Sequence, residues 1–320
     1  MDGILVIDKP EDYTSHDVVA RLRGILKTKR IGHTGTLDPF ATGVLVMLVG
    51  RATRLAQFLD KDAKEYEAIL RFGFETDTGD RTGNRKSHVS ILNSQFSKSK
   101  SVSIDELENV LAEFRGEIEQ TPPMYSAKKV AGKKLYELAR KGIEVEREPV
   151  KITIYELETI KTPKREDDKT SEKENLDSRL ETCDLGIKVA CSAGTYIRTL
   201  AEDIGRKLGT GAHLAELRRT RAGKFDLSKA VTIAELEAIV QAEKLSDYLI
   251  SMNEAVSHLP QVVLNEEEIT DTRNGKKLRC DADEMAENQT VRMIDAAENL
   301  IAIGFFKEAE KSVQPKLVLL

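Results

Sequence analysis

Asp38 lies inside RIGHTGTLDPFATGVLVMLVG (30–50), a stretch that packs Gly32, Gly35 and Gly43, His33 and an Asp-Pro step ahead of a solid apolar run. Two roles fit a carboxylate in that setting. Asp before Pro commonly opens a helix, Asp as the N-cap and Pro at the first helical position, and on pattern alone that is the commoner role. The glycines, however, permit sharper turns and closer backbone approach than one cap requires. Proline also confines the residue before it to extended geometry, which fixes how the carboxylate is presented. On that second reading Asp38 is a reagent. His33 has the type of a general base, although a lone histidine more often packs or hydrogen-bonds. The glycines lack the GKS, GKT or GxGxxG context of a phosphate cradle.

A second candidate is CSAGTYIRTL (191–200). Arg198 falls in the first turn of a helix expected over 195–209, where the helix dipole disfavours a cation by a few tenths to about 1 kcal/mol. A broken local rule points to an anionic partner, a carboxylate or a phosphate; an arginine that simply reaches solvent is as common. Tyr196 opens that helix and Tyr66 opens an alternating strand, positions where tyrosine usually packs. The chain has no HExxH, no paired Cys/His spacing and no GxSxG. Metal hydrolysis and serine-nucleophile chemistry therefore have no foothold, and no metal is expected. Cys183, Cys191 and Cys280 form no CxxC pair and read as idle thiols in a reducing cytosol.

These residues need elements to hold them. GILVID (3–8) reads as a short buried strand, followed by a turn and a helix capped by Thr14 or Ser15, with Val18, Val19, Leu22, Ile25 and Leu26 at helical spacing. GVLVMLV (43–49) reads as a central strand, RATRLAQFLD as helical, and YEAILRFGF (66–74) as a strand with Tyr66, Ala68, Leu70, Phe72 and Phe74 on one face. TDTGDRTGN (76–84) is turn chemistry, and the polar stretch to Ser101 is expected to be a mobile loop. A helix over 103–116 opens on a capping box, Ser103 to Glu106, and stops at Gly116. The charged run 161–178 has almost no apolar residues and reads as a flexible acidic insert. Near 248–262 the pattern changes to short strands and turns.

Length and composition suit a soluble globular protein: 320 residues, 40% hydrophobic and 32% charged. No stretch approaches a membrane span, and Met1-Asp2-Gly3 lacks the layout of a signal peptide. The net charge of −5 is segregated, with basic residues gathered in 120–142 and 206–224 and acid in 166–184, 232–247 and 266–288. Such segregation gives either a basic face on an acidic protein or two ordinary solvated faces.

Taken together, GILVIDKPEDYTSHDVV, GHTGTLDPFATGVL, YEAILRFGFETDTGD, PPMYSAKKVAGKKLYELAR and CSAGTYIRTLAEDIGRKLGTGAHLAELRRT closely resemble the bacterial TruB family of tRNA pseudouridine synthases. The resemblance runs to about residue 225, and the tail looks like that family's PUA-type domain. It implies an α+β pseudouridine synthase fold on a large mixed, mostly antiparallel sheet, spanning 1–255. A small β-rich PUA-like RNA-binding domain at 256–320 would follow. It also implies isomerisation of uridine 55 in the TψC loop of tRNA, without cofactor or metal, by a cytoplasmic monomer with no membrane attachment and no obligatory protein partner.

Residue by residue, the resemblance makes Asp38 the nucleophile and Arg198 its partner. It places His33, Tyr66, Tyr196 and Leu217 at substrate-contacting positions. The base must leave C1′, rotate and rejoin through C5, so the nucleotide is flipped out at a cost of roughly a few kcal/mol. Tyr66 would stack on it, and His33 would fill the vacated space. Arg198 would oppose the rise in the Asp38 pKa on burial. The segments 128–141 and 206–224 would then contact phosphates. Two alternatives remain. One is a non-catalytic RNA-binding or tRNA-folding chaperone of the same fold, against which the intact Asp38, Tyr66 and Arg198 set speaks. The other is a synthase acting on another RNA.

Overall fold

The computed structural model describes residues 1–86, 103–130, 132–161, 184–280 and 285–319. The expected loop running to Ser101 lies outside these residues beyond position 86, and the 161–178 insert lies outside them beyond Lys161.

In chain order the strands of the first part are β1 (Gly3–Lys9), β2 (Ile31–Thr34), β3 (Thr42–Val49), β4 (Lys64–Phe72), β5 (Gly116–Gln120), β6 (Lys129–Val130), β7 (Lys133–Lys134), β8 (Val150–Ile160), β9 (Asp184–Cys191), β10 (Ala212–Ala222), β11 (Phe225–Asp226) and β12 (Ala230–Val231). The later ones are β13 (Gln261–Val263), β14 (Leu278–Arg279), β15 (Thr290–Ile294), β16 (Leu300–Lys307) and β17 (Ser312–Val318). The helices are α1 (Ser15–Ile25), α2 (Ala56–Leu59), α3 (Ile104–Glu113), α4 (Leu135–Ala139), α5 (Ile197–Lys207), α6 (Ile233–Gln241), α7 (Met252–Ala255) and α8 (Glu266–Arg273).

One large sheet runs β12-β1-β3-β10-β4-β9-β8-β5, with β2 on β3 and β11 on β10. Only β1 with β12 and β3 with β10 are parallel, so the sheet is mixed and mostly antiparallel, as expected. A second sheet, β13-β15-β16-β17-β14, lies in the tail. The apolar run of β3 follows from burial on both faces. Leu45, Met47 and Val49 join the core under α1, α3, α5 and α6. Val44, Val46 and Leu48 instead meet Ile294, Leu300, Ile303, Leu317 and Leu319 of the tail. The tail also has a small core of its own around Val291, Met293, Ile301 and Phe306.

Local chemistry sets most boundaries. Thr14 caps α1 in a full capping box with Asp17, and Ser103 caps α3 by accepting from the Glu106 N–H. α3 ends at Glu113, and Gly116 (φ +89°) opens β5 instead of stopping the helix. The expected 66–74 strand begins two residues earlier, at the buried Lys64, and ends before Gly73 (φ +110°). Phe74 therefore leaves the sheet and lies against His213, ring centroids 4.5 Å apart. The stretch after β3 starts as a 3-10 turn, Gly50–Leu55, before α2. No described helix is long and apolar enough to cross a membrane.

Candidate active site

Asp38 sits in the loop between β2 and β3, and no helix starts there. Its carbonyl instead accepts the Ala41 N–H at 3.1 Å, closing a turn. The cap role that the Asp-Pro pattern favours is thus absent, and the carboxylate is free for another partner. That partner is Arg198, whose Nε lies 2.9 Å from Oδ2 and whose Nη2 donates to Oδ1 at 3.3 Å. The guanidinium is buried while the Asp38 side chain keeps 33% exposure, so the carboxylate is the accessible half of the pair.

Arg198 is held from other sides as well. Nη1 donates to the Thr78 carbonyl at 2.9 Å and Nη2 to the Tyr125 carbonyl at 2.7 Å. Asp80 Oδ2 lies 3.8 Å from Nη1. An arginine anchored to three elements in this way is fixed in place. This explains why a cation tolerates the first turn of α5, as the broken dipole rule suggested.

Burial pushes the Asp38 carboxyl above its ordinary range, and Asp80 pushes it further up. Arg198 and Lys9 pull it down, and the net direction is up. Lys9 is fully buried at the end of β1. Its ammonium donates to the carbonyls of Pro10 (2.8 Å), Tyr13 (2.5 Å) and Pro39 (3.1 Å), stitching the first turn to the residue after Asp38. Burial lowers its pKa to about 8. Ser15 holds the loop's other side, donating to the Leu37 carbonyl at 3.2 Å and accepting the Leu37 N–H at 2.9 Å.

Arg219 completes the frame. It is fully buried on β10, where its Nε donates to the Val44 carbonyl at 2.7 Å and its Nη2 to the Gly35 carbonyl at 3.1 Å. It also hydrogen-bonds Tyr66, whose hydroxyl pKa burial raises. β10 bulges between Leu214 and Glu216 and again between Arg219 and Arg221, which re-aims the strand here. Two of the loop's three glycines are required by this packing. Gly35 (φ +75°) turns the chain, and at Gly43 (φ +98°) a Cβ would stand 2.2 Å from the Arg219 carbonyl oxygen. Gly32 is ordinary β2 backbone, so the sharp-turn role expected for it is not realised.

The other expected site residues lie on β2, α5 and β10, the elements that border this loop or carry its partners. His33 is on β2, opposite Met47 of β3. Its ring meets His16 edge-on at 5.8 Å, its Nδ1 has no hydrogen-bond partner among the described residues, and burial lowers its pKa to about 4, leaving it neutral. Tyr196 is the N-cap of α5, but its side chain does no capping. Gln120 clamps its backbone instead, accepting the N–H at 2.8 Å and donating to the carbonyl at 3.0 Å. Leu217 is buried on β10 opposite Ala68, one residue before the Arg218–Thr42 register point. Direct contact joins Asp38 with Arg198; Tyr66 connects to the loop through Arg219. His33, Tyr196 and Leu217 enter by their places on β2, α5 and β10. Lys9, Asp80 and Arg219 were not singled out from the sequence.

Most cations of the basic segment 206–224, expected to contact phosphates, already have partners within the protein. Arg206 pairs with Glu75, Lys207 with Glu113, Arg218 with Asp8 and Arg221 with Glu65, while Arg219 is internal. Among the described residues, no three His, Cys, Asp or Glu side chains converge as a metal site would need.

Comparison with known proteins gives the family. Residues 23–197 match the TruB family pseudouridylate synthase N-terminal domain, and residues 198–257 match the tRNA pseudouridylate synthase B C-terminal domain. A tRNA pseudouridine synthase B of Solibacter usitatus is 41% identical over 95% of this chain and 95% of its own. One from Bacillus cereus is 44% identical over 87% and 85%. Among solved structures, an H/ACA RNP bound to a substrate RNA containing 2′-deoxyuridine aligns with TM-score 0.70 at 25% identity, covering 99% of this chain and 85% of that one. A Cbf5-Nop10-Gar1 complex aligns with TM-score 0.71 at 26% identity, over 99% and 85%. The chain belongs to the TruB family of pseudouridylate synthases, and it is an enzyme of that class.

Proposed function

We propose that the chain isomerises uridine 55 in the TψC loop of tRNA, with Asp38 as the nucleophile. The observation that carries this reading is the accessible Asp38 carboxylate held by a buried Arg198 that two backbone carbonyls also anchor, in a loop with no helix to cap. The reaction breaks the bond from C1′ to N1 and makes one from C1′ to C5, and the C5 hydrogen leaves to water. Asp38 supplies the covalent hold, at base or sugar, that keeps the detached uracil in place while it turns. Tyr66, fixed by Arg219, offers the flipped base a face to stack on. Tyr196 and Leu217 contact the substrate, and the neutral His33 fills the space that the base leaves. Neutrality suits that role, since a cation there would draw a phosphate in.

The tail, 256–320, acts as a PUA-like RNA-binding domain behind the synthase domain, 1–255. The enzyme works as a cytoplasmic monomer without a protein partner. The named relatives at 41% and 44% identity are tRNA enzymes, whereas the complexes aligned in structure are more distant, and this favours tRNA over another RNA.

The test is Asp38→Asn, which keeps shape and removes charge. With tRNA tritiated at uridine C5, the variant is expected to bind tRNA like the parent in filter binding at fixed salt and to release no tritium. Turnover near the parent rate would overturn the nucleophile.

A further inference from the structure

The turn spanning residues 75 to 86 carries a second ionic cluster that the chemistry above does not use. Glu75, with a 4% exposed side chain, accepts from Arg206 Nε at 2.7 Å, from Arg206 Nη2 at 2.9 Å and from Lys86 Nζ at 3.1 Å. Lys86 also donates to Glu202 Oε1 at 3.0 Å, and its N–H closes the base of the turn on the Glu75 carbonyl at 3.0 Å. Glu202 and Arg206 follow Arg198 at four-residue steps, so all three lie on one face of α5.

The far end of the turn meets Arg198 itself. Asp80 Oδ1 is occupied by the Thr82 N–H (2.9 Å), the Thr82 hydroxyl (2.6 Å) and the Thr78 hydroxyl (2.9 Å), which leaves Oδ2 facing the guanidinium. The backbone is seated directly on the helix: a Cβ at Gly79 would stand 3.4 Å from the Arg198 Cβ and the Glu202 carboxylate. The turn is therefore pinned to α5 at both ends, by the ion cluster and by Arg198.

We propose that the Glu75–Arg206 clamp, with Lys86 and Glu202, is a positioning device for the isomerisation: it fixes the turn on α5 and so sets how Arg198 is divided between Asp38 and Asp80. This rests on the reading of Asp38 as nucleophile. The groups facing Asp38 are Arg198 from α5, Asp80 from the turn and Lys9 from β1. Loosening the clamp lets Asp80 withdraw, which gives Arg198 to Asp38 alone. A carboxylate held harder by its cation ionises at lower pH and is a weaker nucleophile. Rate and pH profile therefore move together, whereas a loss of folded enzyme lowers the rate and leaves the midpoint of the acid limb in place.

Arg206 is 49% exposed, so Arg206→Met is compatible with folding even where Glu75→Gln is not. Parent, R206M, R206K and E75Q are compared in single-turnover tritium release across pH, beside tRNA filter binding at fixed salt. R206M and E75Q are expected to lose about tenfold in rate, the scale of a small misplacement at a reacting centre. Their acid limb moves to lower pH while tRNA affinity is unchanged, and R206K keeps most of the rate. A parental rate in R206M, or a slower R206M with an unmoved acid limb, overturns the clamp. An inactive D38N beside a fully active R206M overturns the clamp alone, whereas an active D38N overturns the nucleophile and this inference with it.

Discussion

Two stretches of this chain are about equally basic, and the fold uses them in opposite ways. Along 206–224 most cations turn inward or find carboxylates: Arg206 and Arg218 make two-pronged pairs with Glu75 and Asp8, and Arg219 is sealed beneath the Asp38 loop. Along 128–141 they stay outside. Lys129, Lys133 and Lys141 are exposed and make no ion pair with a described carboxylate. Lys134 and Arg140 lie over the Tyr136 ring at 5.4 and 5.5 Å. Lys129 even stands opposite Lys134 across the β6–β7 ribbon, where like charges repel. One segment builds the site. The other carries exposed lysines that no described carboxylate pairs.

The largest expected effect comes from the inward segment. Arg219→Met leaves the Val44 and Gly35 carbonyls and the Tyr66 hydroxyl without their donor, and unsatisfied buried groups cost roughly 1–3 kcal/mol each. Denaturant unfolding should show a loss of at least roughly 2 kcal/mol, with turnover falling further than the folded fraction. A variant as stable and active as the parent would break the contrast, because the inward cation would then hold nothing.

The outward segment is expected to fail in a different quantity. Replacing Lys129, Lys133 and Lys141 together by Met should leave the unfolding curve in place and weaken tRNA binding. The slope of log affinity against log salt should flatten by roughly 0.7–0.9 for each phosphate contact removed. An unchanged slope would show that RNA does not touch the ribbon. The smallest effect sharpens the comparison from the other side. Arg221→Met, at a half-exposed pair with Glu65, should alter stability by under about 1 kcal/mol and leave the salt slope alone. If it flattens the slope as much as a ribbon lysine does, the two segments share one surface.

The sequence exposes the site where a single local rule is broken and hides it where burial needs partners from afar. Arg198 at a helix start violates the dipole preference, and the violation marks a true ionic contact. Apolar periodicity likewise places β1, α1, β3 and α5 to within a few residues. Counting charge along 206–224 misleads because the count ignores direction: the partner of Arg206 is Glu75, far back in the chain. Lys9 and Arg219 escape notice for a related reason. Their partners are mainly carbonyl oxygens, which every residue carries and no pattern displays. Asp38 shows the opposite error, since the Asp-Pro signature of a helix start is present and the chain makes only a turn.

The place of β10 in the sheet has a consequence for how the enzyme comes into being. It lies between β3 and β4, which follow each other closely in the sequence but never pair, and it arrives only after residue 212. During synthesis at about 5–20 residues per second, on the order of ten to thirty seconds separate Asp38 from Arg198. Through that interval β3 and β4 each present an open, apolar edge to the cell, the condition in which chains stick to one another. Closure of that gap brings Leu217 and Arg219 in as one event. The last central strand to be made thus closes both open edges and delivers Arg219, the brace beneath the Asp38 loop.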